Sequence, residues 1–152
     1  MPSRVITSQD IQQKLRDLQT QYPGFRLVAD RDSDRCRTVG TTLHVPQEWP
    51  KYAPMNQWVR LAHEEVHLAQ YNRYGTVGFL LSYLWPSWRW QLESEAFVVE
   101  MRAVVEAYSA DRLHEKRQRY IDTLSRGDYY WMRSRAAVAQ WVDQTITGLV
   151  GA

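Results

Sequence analysis

The sequence predicts an α+β fold, mostly helical, with a small antiparallel or mixed sheet near the N-terminus. Two short runs that favour strands lie before residue 47, and from residue 56 onward apolar residues recur every three to four positions between Gly and Pro punctuation. At 152 residues with 44% hydrophobic content, residues 1–152 fit one domain with a proper core. No internal repeat or low-complexity tract interrupts them.

The first element starts at Ser8, where Ile11, Leu15 and Leu18 fall at helical spacing, and it ends before Pro23-Gly24. Its narrow apolar face suits packing onto a sheet. Residues 25–29 and 38–46 read as short strands, separated by the polar run 30–37, and suggest a hairpin or small meander. Within that run, residues 30–34 superficially match a calcium loop. Arg35 stands where the loop needs Gly and Thr41 where it needs an acidic ligand, so a solvated turn is expected instead.

A helix is expected over residues 56–74, which contain no Pro or Gly and place Trp58, Leu61, Ala62, Val66, Ala69 and Tyr74 on an apolar face. Asn56 suits its N-cap and Gly75 its C-terminal stop. A connection over residues 75–86 follows, then helices over 88–110, 111–125 and 129–149, with Gly127-Asp128 separating the last two. The apolar residues Phe79, Leu80, Leu81, Tyr83, Leu84, Trp85, Trp88 and Trp90 admit two readings. They form either a lip that grips an apolar substrate or a membrane interface, or filling between two helices, and the filling role is favoured because large aromatics so often supply core area.

Chemistry enters with His63, Glu64, Glu65, Val66 and His67, an HExxH motif in the middle of the 56–74 helix. Positions i and i+4 lie one turn apart on the same face, so both imidazoles can close on one Zn²⁺ while Glu64 projects beside it. Catalytic zinc commonly takes three protein ligands and leaves a fourth position for water. The metzincin completion needs Gly and His three and six residues after the second motif His; Gln70 and Arg73 stand there and exclude it.

The segment from Trp90 to Phe97, with Glu93 followed three residues later by Ala96, resembles the second zinc-binding segment of gluzincin metallopeptidases. The resemblance covers about 45 residues and implies a zincin-like core in which the HExxH helix meets a downstream Glu-bearing helix. It makes Glu93 the third metal ligand and Ala96 the small residue that lets the helices approach. Glu95 is the rival. A two-residue step rotates about 200° around a helix, so both cannot face the metal, and Glu93 is favoured. Phe97 departs from the Asp or Asn frequent at its position. Glu100, seven residues past Glu93 and on nearly the same face, is either an orienting acceptor for a ligand or an ordinary paired carboxylate. By the same resemblance, the strand containing residues 42–45 borders the cleft and pairs with extended substrate.

The resemblance therefore implies a zinc metallopeptidase hydrolysing peptide bonds, with Zn²⁺ as cofactor and a peptide or protein as substrate. His63, His67 and Glu93 would hold the metal, and Glu64 would be the catalytic general base. His114, Tyr83, Tyr108, Tyr129 and Tyr130 are candidates for stabilising an oxyanion, and no spacing rule selects among them. The alternative is a non-catalytic zinc-stabilised binding module, and a third reading is a metal-free helical interaction protein.

Between residues 111 and 135, seven Lys or Arg face four Asp or Glu, yet the net charge of the chain is only +2. A solvated helix face is expected there and no nucleic-acid partner. Cys36 is the sole cysteine, which rules out an intrachain disulfide. The N-terminus shows no secretory signal, and the apolar stretch 77–85 is about half the length needed to span a bilayer, so a cytoplasmic location without a transmembrane segment is expected.

Overall fold

A computed structural model describes residues 4–82, 84–126 and 133–151. Helix α1 (Ser8–Gln21) is followed by strands β1 (Arg26–Asp30), β2 (Arg37–Val39) and β3 (Thr42–Pro46), and by a short 3₁₀ turn, Trp49–Lys51. Helices α2 (Pro54–Ser82), α3 (Pro86–Ala107), α4 (Ala110–Leu124) and α5 (Arg135–Val150) complete it. The mostly helical α+β class with a small mixed sheet is what the sequence led us to expect.

Local chemistry accounts for the helix ends. The Thr7 side chain accepts from the Asp10 amide while Asp10 reaches back to Thr7, closing a capping box at the start of α1. Ser109 and Ser134 cap α4 and α5 in the same way, each accepting an amide hydrogen three residues on. Serine at position 134 explains why α5 starts at Arg135 instead of residue 129; residues 127–132 lie outside the described residues.

The sheet corrects the sequence reading in two respects. Residues 38–46 form two strands, because Gly40, with φ 62°, turns the chain back and lets β2 pair antiparallel with β3. β1 then pairs parallel with β3, giving the order β1-β3-β2. Strand β3 is thus central, with both edges occupied, and cannot add a substrate strand as the resemblance implied. The edges are β1 and β2.

Helix α2 also runs further than expected at both ends: it begins at Pro54, so Asn56 lies inside its first turn and does not cap it. Gly75 does break the helix, with φ 68° and ψ 170°, but the chain resumes helical geometry and continues to Ser82. The 75–86 connection is therefore largely helical. Phe79 from this extension is buried against Tyr71 and Leu92, with Tyr74 and Trp88 packed alongside, so the filling role holds for Phe79 and Trp88. It fails for Leu80, Leu81, Leu84 and Trp85, which are exposed together with Val77. The short segment beyond Gly75 has one inner face, and Phe79 and Ser82 take it. Tyr83 lies outside the described residues. No described helix is long and apolar enough to cross a membrane.

The core joins Leu61 and Leu68 of α2 to Met101 and Val104 of α3, Leu113 and Leu124 of α4, and Val138 and Val142 of α5. Ion pairs fasten the outer helices: Lys14 on α1 meets Glu65 on α2 at 2.6 Å, and Arg117 on α4 grips both carboxylate oxygens of Asp143 on α5 at 2.5 and 2.7 Å. Trp90 on α3 meets Trp141 on α5 edge-on, with centroids 5.3 Å apart.

Helices α2 and α3 form the main packed pair, and Ala96 lies completely buried on α3. A larger side chain there would have no room. Ala96→Leu is expected to destabilise the chain by about 1–3 kcal/mol through overpacking and to weaken metal binding by moving Glu93 outward. Denaturant unfolding and a metal titration check this; wild-type values in both would show that the approach of the helices does not depend on a small residue.

Candidate metal centre

His63 and His67 lie one turn apart on α2 with Glu64 between them, and Glu93 projects from α3. One donor atom each from His63, His67 and Glu93 lies within 4.8 Å of the others, with all three residues buried. The two Nε2 atoms stand 3.2 Å apart, and Oε2 of Glu93 lies 3.8 Å from Nε2 of His67. Two ligands each about 2.0–2.1 Å from a tetrahedral zinc stand roughly 3.3 Å apart, so the histidine spacing suits one ion. This buried triad could hold a metal ion.

The other ring nitrogens fix how the imidazoles present themselves. Nδ1 of His67 lies 2.9 Å from Oε1 of Gln70, which is itself buried and donates its amide to the Leu92 carbonyl and to Oε2 of Glu95. With the Gln70 amide group so committed, its oxygen must accept, so His67 carries its hydrogen on Nδ1 and turns the Nε2 lone pair toward the triad. Nδ1 of His63 lies 2.9 Å from Oε2 of Glu100, an ion-pair contact off the line of an ideal hydrogen bond. Burial opposes charge on His63, but Glu100, then Glu64 and Glu93, outweigh it and push its pKa up to about 9. Glu100 is lowered in return: burial disfavours its charge, and His63, Lys116 and Arg119 restore it.

The two Glu residues left in competition are separated by their contacts. Glu93 faces His67, whereas Glu95 is turned to Gln70 and supports His67 from behind. Glu100 takes the orienting place beside His63. Phe97, where an Asp or Asn is frequent in gluzincins, instead packs its ring edge-on to His63 with centroids 4.7 Å apart. Because outer partners of metal ligands contribute about 10–100-fold to affinity, Glu100→Gln is expected to weaken zinc binding by that factor. Competition against a chromophoric chelator measures it, and an unchanged Kd would reduce Glu100 to a structural carboxylate.

Glu64 is buried, and its Oε2 accepts a hydrogen bond of 2.7 Å from the Thr38 hydroxyl. This contact joins edge strand β2 to α2 and holds the carboxylate in place. The centre opens on two sides. A cleft of about 810 Å³ is lined by His63, Glu64, Glu100, Tyr120 and residues of α4, and a smaller one of about 220 Å³ by Thr38, His67, Phe79, Arg89 and Glu93. Cys36 lines both; burial, then the Glu64 charge, push its thiol up to about 11, leaving it unreactive at neutral pH.

Of the oxyanion candidates, Tyr108 donates to Asn56 Oδ1 at 2.5 Å and His114 is exposed on α4, so neither lines the clefts. Tyr83, Tyr129 and Tyr130 lie outside the described residues. Tyr120, not among the expected candidates, has a buried hydroxyl with no aligned partner among the described residues and lines the larger cleft. Burial, then the Glu100 charge, push its phenol far above the ordinary range and keep it a neutral donor. Thr38, Gln70 and Arg89 were also missed. Only Gln70 had a local signal, since its place three residues after His67 puts both on one helix face.

No family model, curated protein or solved structure matches this chain. The site's chemistry therefore rests on its own geometry.

Proposed function

We propose that the chain is a zinc metallopeptidase of gluzincin type, built on a zincin-like core in which α2 and α3 supply the metal ligands. The observation that carries this reading is the buried convergence of His63, His67 and Glu93 with Glu64 beside them at the meeting of two clefts. Two imidazoles and one carboxylate suit zinc, and three ligands leave a position open.

A zinc ion held by this triad would lower the pKa of water toward neutrality and polarise a scissile carbonyl. Glu64 would accept the water proton and pass it to the leaving amine, with Thr38 holding its second function, orientation, steady. Glu100 and Gln70 would keep both Nε2 atoms aimed inward. Tyr120 is placed in the larger cleft to donate a hydrogen bond, and Arg89 is buried in the smaller one near Glu93. Edge strand β2, carrying Thr38, is where extended substrate would pair, since β3 is occupied on both sides.

The test is digestion of a proteome-derived peptide mixture by the zinc-loaded protein, with new termini read by mass spectrometry. Cleavage should stop with 1,10-phenanthroline and return with added zinc. Absence of new termini, or cleavage indifferent to chelator, would sink the peptidase reading.

A further inference from the structure

The larger cleft carries a charge pattern that the hydrolytic chemistry does not use. Arg60 from α2, Lys116 and Arg119 from α4, and Arg126 just beyond α4 line the same space as His63 and Glu64. Lys116 and Arg119 are three residues apart on one helix, so their stems share a face. Among the described residues, none of these four cations has a carboxylate within ion-pair distance; Arg60 and Lys116 instead lie over the rings of Tyr52 and Tyr108.

Four carboxylates share that cleft, and each has a nearer partner than the four cations. Asp34 lies 3.8 Å from Arg35. Glu100 faces His63, Glu64 accepts from Thr38, and Asp122 meets Arg135, which lies outside the lining, at 2.5 Å. The lining holds five Lys or Arg, counting Arg35, against these four carboxylates, so positive charge is in excess by one, and it gathers on the wall formed by Arg60, Lys116, Arg119 and Arg126. Its effect reaches Lys116, whose pKa is lowered by burial first and also by Arg119, Arg112 and Arg60, with Glu100 opposing. Like charges gathered in a partly desolvated cleft repel one another, and an incoming anion relieves that repulsion. Much of the 111–135 basic stretch is the solvated face expected, with Arg112, Arg119 and Arg126 exposed, and part of it also borders the cleft. Arg117 is spent on Asp143, while Lys116, Arg119 and Arg126 turn toward the metal centre's cleft.

We propose that this cleft selects peptide substrates bearing an acidic side chain close to the scissile bond, with its carboxylate held by Arg60, Lys116 and Arg119. The inference rests on the peptidase reading above. A volume of about 810 Å³ accommodates several peptide side chains, and cations on helices hold their places better than cations on loops.

The experiment uses the zinc-loaded full chain on the same peptide mixture, followed by matched peptides that differ only by Glu or Gln at the position the mixture indicates. Asp and Glu should be enriched at one position near the cut. The Glu peptide should show kcat/KM on the order of tenfold above its Gln partner, a ratio that shrinks as salt rises from about 0.05 to about 0.5 M. Lys116→Gln/Arg119→Gln should bring the ratio to about one while the Gln peptide is still cut. Should that variant fold poorly by thermal unfolding, Arg119→Gln/Arg126→Gln, with both sites exposed, should reduce the ratio instead. Cleavage without acidic preference, or a preference that survives both variants, overturns this inference and leaves the peptidase reading standing. No cleavage of any peptide overturns both.

Discussion

Glu64→Gln is expected to lower turnover by about 10²–10⁴-fold while the protein still binds one metal ion per chain. Glutamine keeps the size of the side chain and an oxygen able to accept from Thr38, so the 2.7 Å contact between β2 and α2 can persist. It cannot take up a proton from water. Glu64 is not part of the triad of converging donors, so metal content should not change. Elemental analysis beside initial rates separates the outcomes. A variant that keeps its metal and its rate would remove Glu64 from catalysis, and a variant that loses its metal would show that the carboxylate is needed to build the site.

The second large effect concerns the choice of carboxylate. Glu93→Ala is expected to abolish stoichiometric zinc in protein purified without added metal, whereas Glu95→Ala should retain it with a modest loss of affinity. An outer partner contributes about 10–100-fold, and a direct ligand should exceed that. Glu95 reaches the centre only through Gln70 and then His67, so its loss is felt at two removes. Because a metal that binds only the folded state stabilises it, chelation should lower the melting temperature of the wild type and of Glu95→Ala, and leave Glu93→Ala nearly unmoved. Zinc retained by Glu93→Ala and lost by Glu95→Ala would reverse the assignment.

Residues within one or two turns of each other were legible in the sequence. The HExxH spacing placed His63 and His67 on one face, and the Gly75 break appeared where the pattern ended. The starts expected at Ser8 and residue 111 agree with α1 and α4 to within a residue, but the caps Thr7, Ser109 and Ser134 were not among the expectations, and Asn56, expected as a cap, lies inside α2. Glu93 was reached through resemblance, and Glu100 through its position seven residues on. Thr38 had no such signal: it meets Glu64 across 26 residues of chain. Tyr120 was equally hidden, since nothing in α4 marks which of its residues turns toward α2 and α3. Substrate pairing at residues 42–45 was expected by resemblance alone, and it fails because β1 and β2 occupy both sides of β3, an order that the hairpin or meander reading left open.

The sequence by itself determined that there are five helices in this order and that His63 and His67 share a face, because helical geometry fixes neighbours three and four residues apart whatever surrounds them. Only the tertiary structure brought Glu93, already favoured over Glu95, to the histidines, set Glu100 and Gln70 against their outer ring nitrogens, and made β2 the strand beside Glu64. It also left Val77, Leu80, Leu81, Leu84 and Trp85 in solvent and set part of a basic helix along the cleft. Those outcomes depend on the rotation and separation of packed helices, set by buried residues such as Ala96 and Met101, and no short window of sequence contains both sides of such a contact.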